Sequence, residues 1–167
     1  MAIRTYFDFA ENDFQYFMNS YKHGFVANAM AADAQEICEK YMKHILSEYY
    51  DPETAIQEAD YNTVMRTHNL MKIARFLEKN LNVEFTRETK AGLAQINGYY
   101  FTARYPGDES IEVVKGDIDL CMDTIQHCRT EVLEAIRKLE HKRTKEELRN
   151  CCLETELKDD GTKEAEP

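Results

Sequence analysis

The 167-residue chain has only 3 Pro and 6 Gly, too few for a collagen-like, linker-like or turn-rich β chain. It has no apolar run near the roughly 18–20 residues that span a bilayer. Its opening, MAIRTYFDFAENDF, is too acidic and aromatic for a secretory signal. Positive charge is also scarce: 21 Lys and Arg face 31 Asp and Glu, giving −10, which excludes a broad basic surface for polyanions and leaves room only for a local one. None of the five cysteines (Cys38, Cys121, Cys128, Cys151, Cys152) forms a Cys-x-x-Cys pair, and Cys128 and Cys151-Cys152 lack a histidine placed to complete a zinc site. No glycine-rich phosphate loop is present, so neither nucleoside triphosphatase chemistry nor any cofactor or metal is expected. These absences describe a soluble, cytoplasmic, single-domain protein.

What is present is helical periodicity. Val26, Met30, Ala34, Ile37, Tyr41 and Ile45 recur at steps of three or four within Phe25 to Tyr50, predicting one long amphipathic helix. Its other face carries Asp33, Glu36, Glu39, Lys40 and Lys43, with Glu36–Lys40 and Glu39–Lys43 ordered for i,i+4 pairs on a solvated surface. Phe14, Phe17, Met18 and Tyr21 form a shorter helix before Gly24, so the two make an antiparallel hairpin. Asp51-Pro52 ends the long helix, and a loop of about ten residues is expected after it.

A third helix is expected from Val64 through Leu81, capped by Asp60, Asn62 or Thr63, and a fourth from Thr86 to Phe101 despite Gly92 and Gly98. Thr102 to Ser110 reads as an ordered loop, and Ile111 to Val114 is too short and unpartnered to make a sheet. A last helix runs from Asp117 to about His141. The expected fold is all-α: an up-and-down bundle of about five helices, a four-helix core with one extra helix. The domain should occupy residues 1–142. Residues 143–167 form a charged extension with five basic and eight acidic residues, a net −3, the last ten or so disordered.

Three phrases carry a family resemblance. AQEICEKYMKHIL, Ala34 to Leu46, places an Ala-Gln pair before a Glu-Lys and a second Lys; Thr67-His-Asn-Leu70 and Tyr100 with Thr102-Ala-Arg-Tyr-Pro106 follow in order. Together they resemble the HEPN domain (higher eukaryotes and prokaryotes nucleotide-binding) from about Phe14 to Leu139. The resemblance implies an all-α bundle that often dimerises, in proteins that act as ribonucleases, as nucleotide-associated domains or as partners of minimal nucleotidyltransferases. Ribonuclease members carry an arginine and a histidine separated by four to six residues. Here Arg66 and His68 are separated by one residue and Arg137 and His141 by three, so the resemblance points to binding rather than cleavage.

The side chains suited to an anionic ligand are few. Arg104 offers a planar fork for phosphate in a loop stiffened by Pro106, between Tyr100 and Tyr105, whose rings can stack on a base. A pairing of Arg104 with a nearby carboxylate is the structural alternative. His68 is the candidate acid or base, since histidine is the side chain suited to proton transfer near neutral pH, with Arg66 beside it. The two meet one ligand only if the chain is unwound between them, because positions i and i+2 diverge on a helix. Lys40 would extend the phosphate-binding surface, unless its i,i+4 partner already accounts for it.

Overall fold

The computed structural model describes the backbone of residues 4–159 and the side chains of residues 4–150. Seven helical segments and no strand occur among them: α1 Tyr6–Lys22, α2 Asn28–Tyr49, α3 Ala55–Arg66, α4 Leu70–Leu81, α5 Arg87–Ile96, α6 Tyr99–Thr102 and α7 Lys115–Asp159. The compact units divide inside the last helix, one ending at Leu133 and the other beginning at Glu134.

The first unit is organised around α2. Phe7 near the start of α1 touches both Tyr41 and His44 late in α2, so the two helices run antiparallel as the periodicity requires. Packed against α2 are α1, α4, α5 and α6, and Ala31, Ala34, Ile37, Cys38, Tyr41, Ile45 and Leu46 are wholly buried. Pairs Glu11–Arg129 and Tyr21–Asp119 run α7 antiparallel to α1. Where α5 meets α7, a Cβ built on Gly92 would lie 2.5 Å from Thr124 Oγ1, so any side chain there would force Thr124 to shift.

The second unit, from Glu134, continues as helix, its side chains from His141 to Asn150 exposed. Ion pairs one turn apart, Lys142–Glu146 and Arg143–Glu147, support it. Of the last ten residues, expected to be disordered, Lys158 and Asp159 continue the helix and the remainder lie outside the described residues.

Several boundaries differ from the sequence-based expectation, each for a local reason. The first helix begins at Tyr6 because Thr5 and Asp8 form a reciprocal capping box. The second begins at Asn28 rather than Phe25: Gly24, at φ +74°, reverses the chain, and Phe25 and Val26 are exposed instead of joining the core stripe. The expected ten-residue loop after Pro52 is largely helix, since Thr54 and Gln57 cap each other's backbone and start α3. The cap of the following helix is therefore Asn69, whose side chain accepts from the Lys72 amide at 2.9 Å, and not Asp60, Asn62 or Thr63. The expected helix from Thr86 to Phe101 breaks at Asn97-Gly98, where Gly98 takes φ +116° and a one-turn α6 follows. These extra breaks and caps turn about five helices into seven segments. Last, α7 extends past His141 to Asp159.

Candidate functional site

The site is built where the α3–α4 junction meets the α5–α6 junction. Between Arg66, which ends α3, and Leu70, which begins α4, Thr67 to Asn69 are not helical. The condition for Arg66 and His68 to meet one ligand is thus satisfied, and both line a cleft of about 340 Å³ with Gln35, Thr67, Asn69, Asn97, Gly98 and Phe101. Gln35, 1% exposed, ties its walls together. Its Nε2 donates to the His68 carbonyl at 2.6 Å, and its Oε1 accepts the Gly98 and Tyr100 amides at 2.9 and 2.8 Å. From the other wall, Asn97 Oδ1 accepts the Leu70 amide at 2.8 Å.

His68 is held from two sides. Its Nδ1 lies 3.0 Å from Glu39 Oε2, while the other oxygen of that buried carboxylate accepts from Lys43 Nζ at 2.6 Å. Its ring stacks on Tyr100, with centroids 4.1 Å apart and planes 9° from parallel. Phe101 meets both rings edge-on and is 55% exposed. The guanidinium of Arg104 sits 4.7 Å from the centre of the Tyr100 ring, so Arg104, Tyr100 and His68 form one contiguous array.

The candidate cations are not equally available. Arg104 Nη2 is 2.8 Å from Glu36 and 3.3 Å from Asp33, the carboxylate pairing given above as its structural alternative. Burial raises the Glu36 carboxyl, but hydrogen bonds from Lys40 and Arg104 outweigh it and hold the group below its ordinary value. At Asp33 burial prevails over Arg104, and the carboxyl is raised. Lys40 bridges Asp13 at 2.6 Å and Glu36 at 2.9 Å, and lines a separate depression between α1 and α2. The structure therefore does not bring Lys40 into the cleft of His68. Tyr105 is exposed, its amide bonded to the Phe101 carbonyl. Arg66, by contrast, is exposed and has no ion pair among the described residues.

Sequence reasoning missed Gln35, Glu39, Asn97 and Phe101 as parts of this arrangement. Both expected i,i+4 pairs form, but the face is not uniformly solvated: Glu39 and Lys43 are 5% and 4% exposed. The available signal was the polar run Gln35, Glu39, Lys43 at steps of four, which marks one stripe of a helix. Among the described residues no group of three His, Cys, Asp or Glu side chains could hold a metal ion, and no helix is long and apolar enough to cross a membrane.

A helical bundle whose second helix carries inward-facing glutamine, glutamate and lysine defines an all-α domain closed by polar ties. Residues 3–141 match the family model of the HEPN domain, and the chain belongs to that family. No curated protein and no solved structure matched it.

Proposed function

We propose that the chain binds the phosphate of a nucleotide or of a short RNA segment in the cleft between the α3–α4 and α5–α6 junctions, and holds it without cleaving it. The observation that carries this reading is Arg66: a guanidinium with no ion pair among the described residues, on the same cleft as a part-exposed histidine and an exposed aromatic ring. Arginine grips two phosphate oxygens at once, and an exposed Phe101 ring offers a stacking face to a base. Arg104 and Tyr100 support His68 from behind in this reading. Absence of the arginine–histidine spacing of the ribonuclease members favours retention over cleavage. A homodimer or a nucleotidyltransferase partner is compatible with it, and solution mass by light scattering reads the first.

Titration calorimetry with nucleoside monophosphates and short RNAs tests the proposal. Arg66→Ala should weaken binding about tenfold or more, the loss expected for one charge-assisted pair. Equal binding by Arg66→Ala and wild type removes the site.

The Glu39–His68 contact supports a second reading, a metal-independent ribonuclease in which His68 moves the proton and Arg66 stabilises phosphate charge. Incubating the purified protein with RNA separates the two. Intact RNA removes the enzyme and leaves the binding module to the calorimetry, whereas cleavage lost in His68→Ala upholds the enzyme.

A further inference from the structure

A second depression of about 530 Å³, which shares only Thr67 with the first cleft, lies between α3 and α4, in the volume range of small-ligand sites. Its apolar surface comes from Tyr50, Ile56, Val64 and Phe76. Tyr50 stacks on Tyr61 with centroids 5.9 Å apart and meets Phe76 edge-on at 5.2 Å, which fixes the rings. Ile56, in the first turn of α3, is 76% exposed.

The polar lining is turned back on its own helices. Gln57 Oε1 accepts the Glu53 and Thr54 amides, Thr63 donates to the Ala59 carbonyl, and Asn80 donates to the Phe76 carbonyl. A polar ligand edge would have to compete with these bonds for the same side chains. An aliphatic or aryl body has no such requirement.

The charge at the rim selects the sign. Lys72 and Lys79 stand four positions before and three after Phe76, on one face of α4, roughly 10 Å apart along its axis. Both are exposed, and neither has an ion pair among the described residues. Asp60 is the one carboxylate lining the depression, so two cations face one anion there. The net positive rim attracts an anion and repels a cation.

We infer that this depression binds an amphipathic organic carboxylate, an apolar chain or ring system ending in one negative charge. The body lies on Tyr50, Val64 and Phe76, and the carboxylate pairs with Lys72 or Lys79. The inference does not depend on the Arg66 cleft, since Arg66 and His68 do not line this depression.

The test is titration of the full chain with decanoate, with decyltrimethylammonium as its oppositely charged counterpart and adenosine monophosphate as the nucleotide. Binding is followed by calorimetry and by amide and methyl chemical shifts. Saturable decanoate binding, with shifts at Ile56, Thr63 and Phe76, is expected, and the cationic amphiphile should bind at least tenfold more weakly. Lys72→Gln/Lys79→Gln, which alters only exposed side chains, should lose at least tenfold in decanoate affinity with an unchanged melting curve. Ile56→Asp should lose it independently. Equal affinity for both amphiphiles, unchanged decanoate binding by the double variant, shifts confined elsewhere, or adenosine monophosphate occupying the same residues would each overturn the proposal.

Discussion

Replacing Gln35 by methionine keeps the length of the side chain and removes all three of its hydrogen bonds. The buried amide joins α2 to the His68 carbonyl and to the Gly98 and Tyr100 amides. A hydrogen bond of this kind contributes roughly 0.5–1.5 kcal/mol net, and a partner left buried and unpaired costs about 1–3 kcal/mol. The three backbone groups are only partly buried, so water re-pairs some of them, and Gln35→Met should cost about 2–4 kcal/mol. For a chain of this size that lowers the melting temperature by roughly 5–15 °C. Urea unfolding followed by circular dichroism measures the loss, and hydrogen exchange locates it, since the Gly98 and Tyr100 amides should exchange faster while those of α1 do not. A variant within about 0.5 kcal/mol of wild type, the spread of an ordinary surface change, or one with unaltered protection at Gly98 and Tyr100, would refute the role given to Gln35.

Two further predictions concern stability. Burial pushes His44 below its ordinary value of 6.5, and its Nδ1 is buried without a hydrogen-bond partner. The unfolded chain then binds the proton more readily than the folded one, so stability is full above about pH 6.5 and declines on acidification through the lower folded value. His44→Phe should flatten the urea midpoint between about pH 6.5 and 5, above the ordinary carboxylate range; an unchanged slope would place the dependence elsewhere. Gly92→Ala should cost about 1–3 kcal/mol through its collision with Thr124. Thr124→Ala, which removes a buried hydroxyl that has no partner, should restore most of that loss in the double variant, and an additive double variant would argue against the collision.

How much was legible follows from the kind of signal each element carries. The pairing of α1 with α2 and the inner face of α7 were readable, because Ile37, Tyr41, Ile45, Ile118, Cys121, Ile125, Cys128 and Val132 repeat at helical spacing and are all buried. The helix α3 was missed because only Val64 of its twelve residues is buried, so it has almost no apolar period; its signal was the Thr54–Gln57 capping box. In the site, His68 and Arg66 were visible as isolated side chains, and the need for an unwound stretch between them was deducible. The partners of Arg104 were not: Asp33 and Glu36 lie 71 and 68 positions away, and local sequence holds no record of such contacts. Gln35 was legible only as part of a phrase, since its three bonds reach across 33 to 65 positions.

That phrase, Ala34 to Leu46, is one of the three that carry the family resemblance, and most of its side chains point inward. Gln35 and Glu39 act as internal fasteners to His68, and Lys43 in the same helix holds the Glu39 carboxylate. Kinship read from such letters reports how the scaffold is bolted together and leaves its trade open. Arg66 at the end of α3 and Lys72 and Lys79 along α4 are exposed and make no such tie among the described residues, so substitutions there should leave the frame intact.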